Sequence, residues 1–85
     1  MKTFNYTIID ELGIHARPAG MLVKTAKDLD SEITLTKGDK TAGASKLMMI
    51  MGLGVKKGDT VVVTIDGGDE EKSYDVMKDF FESNL

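Results

Sequence analysis

Cysteine is absent from the 85-residue chain, and its absence excludes both a disulfide framework and a metal site built from thiolates. Histidine occurs only once, so a structural zinc site, which needs several nitrogen or sulfur ligands, is not expected either. The chain also has no apolar run of bilayer length, and no cationic segment followed by an apolar one at its start. We therefore expect a cytoplasmic protein without membrane insertion.

Charge is modest and slightly acidic. The chain carries 11 lysine and arginine residues against 14 aspartate and glutamate residues, for a net charge of -3. Because it has no dense basic run, nucleic-acid binding is not expected. The content of 41% hydrophobic and 29% charged residues is that of an ordinary globular protein, and the length suits one small domain. We predict a single domain over residues 1–85, present as a monomer.

One segment concentrates the unusual residues of the chain. Residues 13–20, Gly-Ile-His-Ala-Arg-Pro-Ala-Gly, hold the only histidine and the only proline. Proline fits the first turn of a helix, where its missing N–H removes no intrahelical bond and its φ is already helical. A strand-like stretch ends just before the segment and a helix-like stretch begins inside it. We therefore place His15 at a helix N-terminus and Arg17 in the first turn.

This placement has a chemical meaning. The first N–H groups of a helix lack intrahelical acceptors and carry partial positive charge, so they favour an anion, commonly a phosphate. His15 adds a nucleophilic ring nitrogen, and Arg17 adds a fork of donors suited to phosphoryl oxygens. The combination suggests a covalent phosphohistidine. The spacing alone is also compatible with an alternative: an exposed histidine and a hydrated arginine at the start of a helix, without a chemical role.

Hydrophobic periodicity divides the rest of the chain into strands and helices. Alternating apolar and polar residues predict four strands, of which residues 60–66 are the most β-branched and the expected central strand. Gly38-Asp39 matches a two-residue hairpin turn, and the strand after it is short enough for a sheet edge. Strands with one polar face and helices with one apolar stripe favour an α+β fold, an antiparallel sheet covered on one side by helices. The predicted order is a strand at 2–9, a helix at 17–28, strands at 31–37 and 40–42, a helix at 46–51, a strand at 60–66 and a helix opening at 69–71. The predicted buried stripe of the last helix is Val76, Met77, Phe80 and Phe81.

The short helix allows two interpretations. Ser45 is predicted to be its N-cap, and five consecutive apolar residues, 47–51, follow. At about 100° per residue they surround the helix and cannot all face one core. Methionine fills gaps in cores and also suits surfaces that meet several partners. Periodicity alone leaves a core role and a docking role equally open.

Two segments resemble a known family. Residues 13–20, and more loosely residues 46–54, Lys-Leu-Met-Met-Ile-Met-Gly-Leu-Gly, are similar to the HPr family, the histidine-containing phosphocarriers of the bacterial phosphoenolpyruvate:sugar phosphotransferase system. The length and the motif position agree as well, so the resemblance extends over essentially the whole chain. It implies an open-faced sandwich of four antiparallel strands covered on one side by three helices, in a double split β-α-β topology.

The resemblance also implies roles for the motif residues. His15 corresponds to the histidine that accepts a phosphoryl group on Nδ1 from phosphorylated enzyme I and passes it to sugar-specific IIA components. Arg17 corresponds to the arginine that stabilises the phosphoryl charge, and the segment Ala16, Arg17 and Pro18 would surround that group. The protein would be a stoichiometric carrier rather than an enzyme, and it would need no metal or organic cofactor.

A partner surface follows from the same resemblance. The family presents an exposed apolar patch near its active histidine, which favours docking for part of the short helix and a core role for Ile50 and Leu53. Lys24 and Lys27 are either solvated charges or, with Arg17, a positive rim for an acidic partner. The implied partner-binding residues are Gly20, Lys24, Lys27, Leu47, Met48 and Met51.

Three features depart from the family pattern. Many members carry a regulatory serine, the target of an ATP-dependent kinase, where this chain has Lys46, and Ser45 lies one position earlier. Leu12 stands where the family often has a small polar residue near the histidine ring. Met49 and Gly52 also replace the usual residues, which bears on the choice of partner.

Two alternatives to the sugar-uptake carrier remain open. One is a regulatory module that acts only by docking on another protein. Regulatory relatives tend to have lost the motif histidine, whereas this chain keeps His15 and Arg17. The other is a carrier in a nitrogen-related or other regulatory phosphotransfer branch.

Overall fold

A computed structural model describes all 85 residues, Met1–Leu85, as four strands and three helices. The element order is that predicted from periodicity, with boundaries that differ by at most two residues. The elements are β1 (Lys2–Thr7), α1 (Ala16–Lys27), β2 (Glu32–Lys37), β3 (Lys40–Gly43), α2 (Leu47–Gly52), β4 (Thr60–Asp66) and α3 (Glu70–Asn84).

The four strands form one antiparallel sheet in the order β1-β4-β2-β3. The β-branched strand β4 lies between β1 and β2, as predicted for a central strand, and β3 is at an edge. Pairing aligns one buried residue from each strand in a row across the sheet: Phe4, Val63, Leu35 and Ala42. The neighbouring row, Thr3, Thr64, Thr34 and Gly43, points to the opposite, open face, because side chains alternate along a strand.

The helices cover only the apolar face, so the predicted α+β open-faced sandwich is confirmed. Helix α1 buries Ala19, Leu22 and Ala26, which recur at helical spacing. None of the three helices combines the length and the apolar composition that crossing a bilayer requires.

The predicted stripe of α3 was wrong at one position. Met77, Phe80 and Phe81 are buried, but Val76 is only half-buried and Ser73 takes the remaining core position. Ser73 lies one turn before Met77 and so shares its face. Its hydroxyl accepts a 2.8 Å hydrogen bond from Ser31, and this contact satisfies the buried polar group.

The predicted N-cap of α2 was also wrong. The helix begins at Leu47, so Lys46 is the cap residue, in extended conformation and without a capping side-chain bond. Ser45 falls in the preceding turn, too early to reach the first N–H groups of the helix. By contrast, Asp69 caps α3 by accepting the Lys72 N–H at 3.2 Å.

Candidate functional site

The loop between β1 and α1 is fixed by hydrogen bonds within the loop and by hydrogen bonds to the C-terminal residue Leu85. One carboxylate oxygen of Asp10, Oδ1, accepts the Leu12 N–H at 2.8 Å, and the Asp10 carbonyl accepts the Gly13 N–H at 3.0 Å. The N–H groups of Ile9 and Asp10 both donate to the carbonyl of Leu85 at 2.8 Å. These contacts form an Asx-type turn tied to the end of α3.

A second loop supports the residues that enter the helix. The Ile14 N–H donates to the Val55 carbonyl at 3.1 Å, and Ile14 is buried. Gly13 has a φ of +66°, and a Cβ there would collide with the same carbonyl. Both the positive φ and the close backbone approach therefore require glycine at position 13.

A charged contact fixes the supporting loop to the sheet. Lys37 donates from Nζ to the Gly54 carbonyl and to the carboxylate of Asp59, both at 2.9 Å. The Lys56 N–H donates to the same carboxylate at 2.8 Å. The hydrogen bond from Lys56, and then the one from Lys37, hold the pKa of Asp59 below its usual value.

His15 is the N-cap residue of α1. Its backbone is extended, with φ -92° and ψ -176°, and its carbonyl accepts the Ala19 N–H at 3.0 Å. The half-buried imidazole forms no capping hydrogen bond, so the ring is not occupied by the helix end. The N–H groups of Ala16 and Arg17 have no protein acceptor, and Pro18 has no N–H to satisfy.

His15, Arg17 and Pro18 meet in one shallow depression of about 250 Å³. Pro18 is buried and serves as a wall, because a proline nitrogen cannot donate to an anion. The remaining lining residues were not among the predicted site residues. They are Asp10, Met21, Ser83 and Asn84.

The missed residues differ in how far sequence could reveal them. Met21 follows Arg17 by four positions, so helical spacing alone places it on the same face. Ser83 and Asn84 arrive from the far end of the chain and have no local signal. Phe81 packs edge-to-face against β1, with ring centroids 5.9 Å from Phe4 and 5.5 Å from Tyr6, and this contact sets the last turn of α3 beside the loop.

The cationic side chains near the depression form no ion pairs with carboxylates. The four ion pairs of the protein use Met1, Lys2, Lys37 and Lys57 as their cations. Arg17, Lys24 and Lys27 are exposed and unpaired, and they share one face of α1 with Gly20 and Met21. An otherwise acidic chain therefore presents a positive stripe that begins at His15.

The apolar residues in and just after α2 differ in burial, and the core positions are those that the family resemblance implied. Ile50 and Leu53 are buried, whereas Leu47, Met48 and Met51 are exposed to 42%, 80% and 38%. Leu47 and Met48 line a shallow groove of about 510 Å³ together with Lys27 of α1. The same groove is lined by Val23, Ser45, Lys46 and Met49, so Ser45 lies on this surface without a capping role. Gly20, Lys24 and Met51 line neither the depression nor the groove.

Comparison with known proteins gives matches over nearly the whole chain. The model of the PTS HPr component phosphorylation site matches residues 2–83. The phosphocarrier protein HPr of Lysinibacillus sphaericus is 38% identical over 77 residues, which cover 91% of this chain and 88% of that protein.

Two solved structures have the same fold. HPr of Thermoanaerobacter tengcongensis superposes with a TM-score of 0.92 at 38% identity, over 98% of this chain and 93% of that one. The histidine-containing phosphocarrier protein of Mycoplasma also gives a TM-score of 0.92, at 29% identity over 96% and 93% of the two chains. The chain belongs to the HPr family of phosphocarrier proteins of the phosphotransferase system.

Proposed function

We propose that this protein accepts a phosphoryl group on Nδ1 of His15 from phosphorylated enzyme I and passes it to sugar-specific IIA components. The observation that carries the proposal is the arrangement at the depression: a half-buried imidazole and an unpaired guanidinium line one open volume, at a helix start whose first two N–H groups have no protein acceptor. Family membership supports the same chemistry.

The geometry supports a reversible transfer. The neutral ring nitrogen attacks phosphorus, a new N–P bond forms, and the bond from phosphorus to the donor breaks with its electron pair leaving on the donor. The N–H groups of Ala16 and Arg17, together with the guanidinium, stabilise the charge of the phosphoryl oxygens. Because the depression is shallow and open, this stabilisation is moderate, which suits a carrier that must release the group again.

The partner surface follows from the exposed residues around the depression. Met48 is an apolar anchor that a partner pocket can desolvate, and Lys24 and Lys27 provide the positive rim. We expect the partners to present an apolar pocket bordered by acidic residues. A regulator that acts by docking alone would have no use for the free N–H groups and the unpaired guanidinium, so the carrier is the better account.

Phosphorylation of Ser45 is not part of the proposal. The position of the family's regulatory serine holds Lys46, and Ser45 is half-buried in the turn before α2. The assignment to sugar uptake, rather than to another phosphotransfer branch, is tested with a panel of IIA acceptors. The monomeric state is tested by sedimentation. The cytoplasmic location remains a prediction.

The direct test is phosphorylation with phosphoenolpyruvate and a catalytic amount of enzyme I. Intact mass should increase by one phosphoryl group, and mild acid should remove it, because phosphohistidine is acid-labile. The His15→Ala variant should gain nothing while keeping the circular dichroism spectrum of the folded protein. Acceptance retained by His15→Ala would remove this residue as the carrier.

Docking is tested separately from chemistry. Met48→Glu should weaken binding to enzyme I about tenfold or more, because it places a carboxylate on a surface that meets acidic residues. Thr3→Glu is the matched control, since it adds the same charge on the open face of the sheet. Titration calorimetry with both variants gives the comparison, and equal affinities would exclude Met48 from the interface.

A further inference from the structure

Asp10 is the one carboxylate that lines the His15 depression. Its position is fixed on three sides: Oδ1 accepts the Leu12 N–H, the carbonyl accepts the Gly13 N–H, and the N–H donates to Leu85. The side chain has no ion-pair partner, although the unpaired guanidinium of Arg17 lines the same volume. The site therefore holds one carboxylate that has no ion-pair partner and shares the depression with a guanidinium.

That charge acts differently on the two states of the histidine. The unphosphorylated ring carries no negative charge in either protonation state, so a nearby carboxylate does not repel it. A phosphoryl group on the ring is an anion, and a carboxylate that lines the same small depression repels it, because charges closer than a Debye length are only partly screened. The free N–H groups and Arg17 act in the opposite sense.

We propose that Asp10 is an electrostatic tuning residue that destabilises the phosphorylated state of His15 and so raises its tendency to give up the phosphoryl group. The proposal rests on the proposed function of His15. When the group leaves, an acceptor nucleophile or water attacks phosphorus, the N–P bond breaks, and the ring nitrogen keeps the electron pair. The repulsion is relieved in this step, so the carboxylate favours onward transfer over retention.

The neighbouring carboxylate of Glu11 provides a matched control. It lies next in sequence, but Lys57 pairs with it at 2.7 Å and it does not line the depression. Asp10→Asn removes the charge and keeps an oxygen that can accept the Leu12 N–H, so the turn is preserved. Asp10→Ser, whose hydroxyl can form a similar turn, is the second variant, and thermal melts check that both fold.

The first experiment needs no partner protein. Phosphoramidate, which phosphorylates histidine chemically, loads the wild type, Asp10→Asn and Glu11→Gln, and intact mass then follows the loss of the phosphoryl group at neutral pH. We expect the half-life of the phosphorylated Asp10→Asn protein to be about three- to tenfold longer than that of the wild type, with Glu11→Gln unchanged. Equal half-lives, or a shorter one for Asp10→Asn, would overturn the proposal.

The second experiment measures the equilibrium. Unlabelled wild type and ¹⁵N-labelled Asp10→Asn share one tube with catalytic enzyme I and limiting phosphoenolpyruvate, and their masses report how the phosphoryl group partitions. The proposal expects a several-fold excess on Asp10→Asn, and an even partition would contradict it. If enzyme I fails to phosphorylate the wild type at all, the proposed partner is wrong, while the phosphoramidate half-lives still decide the role of Asp10.

Discussion

Arg17 is the residue whose chemistry depends most on its shape. It is the second residue of α1, lines the depression with His15, and has no carboxylate as an ion-pair partner. A guanidinium presents several donors in a rigid plane and can meet two phosphoryl oxygens at once, whereas an ammonium is a single point of charge. A side chain that keeps the positive charge but lacks the planar guanidinium should therefore stabilise the phosphoryl group less well.

Arg17→Lys should lower the rate of phosphoryl acceptance by about tenfold, because the bidentate contact to the developing charge is lost. Quenched-flow experiments with phosphorylated enzyme I measure this rate. Lys24→Arg is the control on the same helix face, outside the depression, and it should change the rate little. A rate for Arg17→Lys equal to that of the wild type would mean that the guanidinium fork is not used.

At the scale of elements, α1 combines a buried stripe with an exposed face that contains a glycine. Gly20 lies inside the helix, and a Cβ there would meet no atom within 4 Å. A glycine within a helix costs roughly 0.5–1 kcal/mol relative to alanine because it loses more backbone freedom on folding. Packing within the protein does not require this glycine, so any requirement for it would come from the surface that we propose for partner binding.

Gly20→Ala should raise the free energy of unfolding by about 0.5–1 kcal/mol, as measured by urea denaturation. The same substitution at Gly13 should have the opposite sign, because the positive φ and the Val55 carbonyl leave no room for a Cβ. Destabilisation by Gly20→Ala would show that the exposed face of α1 is more tightly packed than its surroundings indicate.

Helix α2 depends on the rest of the fold. Six residues are too few for a stable isolated helix, and the helix lacks a capping side chain and acidic residues in its first turn. Burial of Ile50 within it, and of Leu53 just after it, holds the helix in place and leaves Met48 and its exposed neighbours available to a partner. The electrostatically unfavourable Lys46 at its start is therefore tolerated because packing stabilises the helix.

At the scale of the whole molecule, the loop that supports the start of α1 is tied to strand β2. Lys37 on β2 holds Gly54 and Asp59, and the loop between those residues supports the start of α1 through Val55. The lowered pKa of Asp59 means that its ionised form is favoured by folding. Its contribution to stability is therefore present above the ordinary pKa of an aspartate and is lost as pH falls through the lower, folded value.

Asp59→Asn should be less stable than the wild type at pH 7, and the difference should shrink as pH falls below the ordinary pKa of an aspartate, about 4. Urea denaturation across this range measures it. Glu70, whose pKa is also lowered, chiefly by the amino group of Met1, contributes to acid sensitivity equally in both proteins. Glu82→Gln, an exposed residue without an ion pair, is the control, and a difference for Asp59→Asn that stays constant with pH would contradict the prediction.

The sequence by itself determined the features that depend on local spacing. Alternation and helical periodicity located seven elements in order, and Pro18 placed the histidine at a helix start, since the constraint on φ acts within one residue. The family resemblance supplied the sheet topology, and it predicted the burial of Ile50 and Leu53 where periodicity had left core and surface positions equally open. The docking role of the exposed residues stays a prediction.

The tertiary structure alone decided the features that need distant segments to meet. It brought Ser83 and Asn84 from α3 to the histidine, turned Asp10 into the depression, and gave the core position expected for Val76 to Ser73. It also moved the start of α2 past Ser45. These outcomes follow from packing between elements far apart in sequence, which local periodicity does not encode. The burial and the electrostatic surroundings of a residue depend on every segment that packs against it.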